Sequence, residues 1–173
     1  DTAGRIAPQE TVIELIQAAE QFQEFCASHH WRFCFIGGFA VQRWGEPRFT
    51  ADVDLSLLTG FEEEPLIDLL LERFQSRTKD QRTFALKNRV LLLTADNGVP
   101  IDIALAALPF EEQVIARATP FEYERAGTKL ITCSAEDLIV YKAFAARPLD
   151  WRDVETILVR QGETLDLDYD GKV

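Results

Sequence analysis

Two aspartates, Asp52 and Asp54, stand one residue apart in a stretch that otherwise alternates small or apolar residues from Thr50 to Leu58. Side chains alternate faces along a strand, so this spacing sets Thr50, Asp52, Asp54 and Ser56 on one side and Ala51, Val53, Leu55 and Leu57 on the other. Aspartate is disfavoured inside strands, and two like charges on one face raise each other's pKa. A divalent cation relieves that repulsion, and hard carboxylate oxygens suit Mg2+. Asp102, flanked by Ile101 and Ile103 in another apolar run, supplies a third carboxylate that can close such a site. Taken alone, an Asp-x-Asp pair more often simply faces water on a half-exposed strand.

Gly37-Gly38 follows an aromatic and apolar run, WRFCFI, and precedes FAVQRW. Between a strand and a helix, missing side chains let backbone N–H groups approach a phosphate, and the helix N-terminus favours its charge. A turn or a close helix packing is the plainer use of two glycines. Arg48 and Thr50 lie on the approach to the acids and are candidates to bind phosphate beside them. Arg48 either pairs with an acid of the site or binds triphosphate. His29 and His30 end a helical pattern, where a cation suits the dipole. Cys34 reads as a core residue.

The elements that must position these residues follow from periodicity. Val12, Leu15, Ile16, Ala19, Phe22 and Cys26 recur at helical spacing after a loose start at about residues 1–8. WRFCFI predicts a short buried strand, FAVQRW a short helix closed by Gly45, and residues 50–58 a strand. Glu62 to Pro65 open the helix LIDLLLERF. Residues 83–94 and 99–104 predict two strands joined by a tight type I′ turn at Asn97-Gly98. FEEQVIARA predicts a helix, YERAGTKLITC a strand or two. Ser134 to Asp137 has capping-box spacing and launches LIVYKAFAA; Arg147-Pro148 breaks that helix, and Asp150 to Asp153 caps a last one ending at Gly162. The expectation is a single domain over 1–173, α/β (α+β), with a small mixed β-sheet, packed helices and a helical C-terminal section at 134–162.

A chain of 173 residues with 47% hydrophobic content is of single-domain size. No apolar run approaches the ~20 residues of a membrane span, and the N-terminus has no signal-peptide block, so no membrane partner is expected. Three cysteines without CxxC or CxxH spacing point to neither a disulfide framework nor zinc, and suit a reducing cytoplasm. A net charge of -11 argues against bulk nucleic-acid coating. A local exception is the strip Arg73, Arg77, Lys79, Arg82, Lys87 and Arg89, with Asp80 the one acid after Glu72. It is either a solvated surface or a guide for RNA.

FIGGFAVQRWG, RFTADVDLSL, VPIDIALA and the tail SAEDLIVYKAFAARPLDWRDVETIL together resemble the polymerase-beta-like nucleotidyltransferase superfamily and, within it, the AbiEii-type toxin-related family, over about residues 30–160. The resemblance implies a nucleotidyltransferase fold, Gly37 and Gly38 at the NTP phosphates, and Asp52, Asp54 and Asp102 as metal ligands and catalytic residues. It further implies that Lys142 contacts nucleotide phosphate, with Arg147, Asp150 and Asp153 as a charged series after it. From the residues alone, Lys142 either snorkels beside an apolar stripe or acts in the site, and Asp150 and Asp153 read as caps.

The expected activity is transfer of a nucleoside monophosphate from an NTP such as ATP to an acceptor hydroxyl with release of pyrophosphate. Two Mg2+ ions, or Mn2+ in their place, would serve catalysis. The acceptor is left open among tRNA or other RNA, a protein and an aminoglycoside-like small molecule; an antitoxin is a further expected partner. The alternative is a non-catalytic nucleotide-binding or antitoxin-like module of the same fold.

Overall fold

The computed structural model describes residues 8–123, 127–166 and 168. The expected loose segment therefore lies, apart from Pro8, outside the described residues, as do Glu124, Arg125 and Ala126 of the expected strand. In chain order the elements are α1 (Pro8–Ser28), β1 (Phe33–Ile36), α2 (Gly37–Trp44), β2 (Val53–Leu58), α3 (Glu64–Arg73), β3 (Gln75–Ser76), α4 (Gln81–Asn88), β4 (Val90–Thr94), β5 (Pro100–Ala106), α5 (Pro109–Arg117), β6 (Thr119–Tyr123), β7 (Thr128–Thr132), α6 (Ala135–Ala145) and α7 (Pro148–Gln161), with a short 3-10 turn at Gly162–Thr164. One mixed sheet runs β3-β4-β5-β2-β1-β7-β6. β2 pairs parallel with β5 and antiparallel with β1, and β1 pairs parallel with β7. No described helix is long and apolar enough to cross a membrane.

The alternation on the central strands builds two cores. Val53, Leu55 and Leu57 of β2 and Ile101, Ile103 and Leu105 of β5 point to one face, where Leu15, Ile16, Ala19, Phe22 and Cys26 of α1 cover them together with Ile67 and Leu70 of α3. On the other face Cys34, Val41, Val114, Cys133, Leu138 and Ile157 join α2, α5, α6 and α7 into a second cluster. Burial stabilises each large apolar side chain by roughly 1.5–3 kcal/mol, which pins the register of β2 and leaves its opposite face to carry Asp54. Cys26, Cys34 and Cys133 are buried free thiols, and burial pushes that of Cys34 up to about 12.

The local expectations fail in three places. Residues 81–88 form α4 rather than a strand: Gln81 and Ala85, four apart, turn to the interior, and Asp80 and Arg89, both left-handed, bound the helix. The hairpin between β4 and β5 is not a type I′ turn. Gly98 N–H donates to Ala95 O at 2.9 Å and Ala95 N–H to Val99 O at 2.9 Å; Gly98 is at φ 87, while Asn97 is not at positive φ. A three-residue loop with glycine in the left-handed position matches strand twist as well as the two-residue turn does. Finally, β2 begins at Val53, so Thr50 and Asp52 lie on the loop before it.

Candidate active site

Parallel register on β2 and β5 sets Asp54 beside Asp102, and antiparallel pairing sets Ile36, the last residue of β1, on the other side of Asp54. Side chains of paired residues share a face. The two carboxylates therefore stand together at the point where β1 ends and the chain turns at Gly37 into α2. A cavity of about 290 Å3 opens there, with Gly37, Asp54 and Asp102 on the sheet side and Tyr141, Lys142, Arg147 and Asp150 on the helical side. Asp54 is pushed up to about 6, first by burial, then by repulsion from Asp102 and Asp52, with Lys142 and Arg147 pulling the other way. The strain expected of clustered carboxylates thus falls on Asp54.

Gly37 adopts φ +62, and a Cβ there would stand 2.3 Å from Asp54 Oδ2. The glycine is required twice, by backbone and by the carboxylate. Gly38 answers to a different neighbour, since a Cβ there would meet Thr50 Oγ1 at 2.5 Å. Thr50 in turn donates to Asp52 O at 3.3 Å. Close packing of α2 on the loop ahead of Asp52 therefore needs the second glycine. Asp52 is half-buried on that loop and within electrostatic reach of Asp54. Among the described residues no group of three or more His, Cys, Asp or Glu side chains is gathered closely enough to hold a metal ion.

The helical wall carries a chain of ion pairs. Lys142, on α6 and buried, has Nζ 3.2 Å from Asp150 Oδ1 and 2.9 Å from Asp153 Oδ2. Arg48 forks onto Asp153 with Nε and Nη2 both at 2.8 Å. Arg147 Nε donates to Asp150 Oδ2 at 2.7 Å. Arg48 is thus bound to an acid, one of the two uses open to it. Asp150 does cap, accepting the Arg147 N–H at 3.1 Å at the start of a helix that begins at Pro148. Burial alone would raise its pKa; the hydrogen bonds from Arg147 and Lys142 outweigh that and bring it to about 2. Asp153 is no cap. It lies on the buried face of α7 with Asp150, Val154 and Ile157, where it ties Lys142 to Arg48. Asp153 lies four residues before Ile157, as Asp150 lies four before Val154, and that helical spacing from apolar positions is the sequence signal for a buried acid. Arg48, Lys142 and Arg147 against Asp150 and Asp153 leave the cluster one positive charge in excess.

The basic strip is largely balanced by acids from other elements. Arg73 pairs with Asp96, Arg77 with Asp102, Arg82 with Glu64 and Asp68, and Arg89 with Glu63. Sequence order had shown Asp80 alone nearby, whereas the partners arrive from α3, β5 and the β4–β5 loop. The contact of Arg77 with Asp102 is one that periodicity did not show.

No protein-family model and no curated protein sequence matches the chain. Solved structures do. The lincosamide antibiotic adenylyltransferase LnuA, bound to lincomycin, superposes with a TM-score of 0.55 at 12% identity, covering 82% of this chain and 94% of that one. An antigenic nucleotidyltransferase-like protein from Paracoccidioides brasiliensis gives 0.53 at 18% identity, over 83% and 74%. The antibiotic-resistance factor ANT(2'')-Ia gives 0.52 at 19%, over 89% and 86%. The chain shares the fold of these nucleotidyltransferases.

Proposed function

We propose that this protein is a nucleotidyltransferase that moves a nucleoside monophosphate from an NTP to the hydroxyl of an acceptor and releases pyrophosphate. The observation that carries the reading is the in-register pair Asp54 and Asp102 on adjacent strands, facing Lys142 across a cavity that Gly37 keeps open. The donor set fits Mg2+: all-oxygen, anionic, and repelled within itself in the absence of a cation. Asp54 and Asp102, with Asp52 from the preceding loop, would hold it. When bound, Mg2+ supplies charge stabilisation to the attacking and leaving oxygens of the in-line displacement.

The chain's own groups do the rest. The N–H groups where α2 begins would face the phosphates, with Gly37 and Gly38 allowing close approach. Lys142 and Arg147, carrying the surplus positive charge, would offset the charge of the departing pyrophosphate. Asp102 would take the proton of the attacking hydroxyl. In-line attack forms the new oxygen–phosphorus bond at the α-phosphorus as the bond to the β-phosphate oxygen breaks.

Within this activity we favour a small, cationic acceptor over an RNA end. The basic strip offered as a guide for RNA is neutralised at four of its six basic positions, and a net charge of -11 attracts cations. LnuA offers a precedent for transfer to a small antibiotic on this fold. The AbiEii-type tail pattern remains our proposed placement within the superfamily, and a reducing cytoplasm our proposed compartment. Incubation with each α-labelled NTP, Mg2+ and, separately, total tRNA, a protein extract and a panel of aminoglycosides and lincosamides tests the reading. Labelled small molecule is the expected product. NTP binding with no labelled acceptor and no pyrophosphate would instead identify a non-catalytic partner module.

A further inference from the structure

Arg77 stands two strands away from Asp102 and still reaches it. Just past β3, its backbone N–H donates to Leu92 O at 3.1 Å, which anchors it beside β4. Leu92 is the register partner of Asp102 on β5, and Asp102 is the partner of Asp54 on β2. The sheet thus holds a row, Arg77, Leu92, Asp102, Asp54, across four strands' width. Along this row the guanidinium ion-pairs with Asp102 Oδ1 and donates to Ile101 O at 3.3 Å. Both partners are about one-third exposed, 30% and 34% at the side chain, so the pair is reachable from solvent and replaceable.

We propose that Arg77 is a built-in counter-cation for Asp102, one that a divalent ion must displace to take this carboxylate, and that Arg77 thereby sets the affinity of the Asp102 side of the site. This rests on the metal-dependent reading above. The physical reason is competition for one set of lone pairs: the free protein carries adjacent carboxylates whose repulsion needs compensation, and a guanidinium fixed by the sheet supplies it without closing the site permanently. One of the Asp102 oxygens is already engaged by Arg77.

The test is Mn2+ binding to the purified full chain at pH 7.5, followed by electron paramagnetic resonance of free Mn2+ with no nucleotide present, alongside thermal melting with and without the ion. Arg77→Gln should bind Mn2+ about three- to fivefold more tightly than the native protein, the size expected for a partly exposed ion pair. It should melt lower than native without Mn2+ and regain the difference with it. Arg77→Lys, which keeps a cation but loses the guanidinium that reaches both Asp102 and the Ile101 carbonyl, should fall between. In an Asp102→Asn background the Arg77→Gln change should no longer alter affinity. Unchanged or weaker Mn2+ binding by Arg77→Gln overturns the inference. If native binding is nonetheless present and lost in Asp54→Asn, the metal-dependent reading survives that result. No Mn2+ binding by the native, Arg77→Gln or Arg77→Lys proteins sinks both.

Discussion

A Cβ on Gly37 would lie 2.3 Å from Asp54 Oδ2, so the first residue of α2 and the acid of β2 exclude any side chain between them. Because Gly37 is also at φ +62, Gly37→Ala costs roughly 1–2 kcal/mol for the left-handed backbone before the clash is counted. The expected outcome is a folded but less stable protein in which NMP transfer falls by at least about a hundredfold, because displacing a reacting-centre ligand by about 1 Å has effects of that size. Denaturant unfolding and a transfer assay on the same sample measure both.

Gly38 and Thr50 make a separable pair. Gly38→Ala should destabilise the chain by forcing Thr50 away, and Thr50→Gly, which removes the colliding atoms, should recover part of that loss. The double-mutant cycle in stability is expected to show coupling of about 1 kcal/mol or more. Independent, additive effects would mean that the second glycine is not needed for this packing.

Asp54 and Asp150 predict opposite pH dependences. Asp54 is raised from 3.8 to about 6, so the folded chain holds a proton that the unfolded chain has released, and stability falls as pH rises between about 4 and about 6. Asp54→Asn removes that penalty and should be the more stable protein above pH 6, with the difference vanishing below about pH 4. Asp150 is lowered to about 2, and its stabilisation is present above about pH 4 and lost as pH falls toward 2. Asp150→Asn should therefore be less stable than native at neutral pH and converge with it in acid. Melting temperatures from pH 2 to 8 for the three proteins check both signs.

Asp153 holds two cations at once. Asp153→Asn leaves buried Lys142 with Asp150 alone and frees the Arg48 fork, which should cost about 3 kcal/mol, the range seen when one partner of a buried pair is removed. If Lys142 faces phosphate, the freed ammonium should also shift NTP affinity. Lys142→Met should weaken Mg-NTP binding in calorimetry, and an unchanged affinity would return Lys142 to a purely structural role.

Within the basic strip, Lys79 and Lys87 have no ion-pair partner among the described residues. Any binding of total RNA should then show a logarithmic salt slope no steeper than about −2, at slightly under one unit per phosphate contact. Lys79→Glu with Lys87→Glu should leave transfer to a small-molecule acceptor unchanged. A steep slope abolished by the two reversals would reinstate RNA as the acceptor.

The sequence by itself determined what local rules govern. Period two on β2 and β5 marked which residues are buried and which face the site, because a one-residue slip would turn the whole apolar set to solvent. Ser134, Gly45 and Arg147-Pro148 set helix ends through capping and a missing N–H, and the structure places those ends there. Where local signals competed, periodicity alone was insufficient: the strand expected over 83–94 begins only at Val90, and residues 83–88 belong to a helix that buries Gln81 and Ala85. The tertiary structure alone decided which charges meet. Asp102 is 48 residues from Asp54 along the chain, Arg48 is 105 from Asp153, and Arg77 is 25 from Asp102. Coulomb attraction acts through space, so the pairing of these ions depends on strand order and helix docking, neither of which has a local signature in the chain.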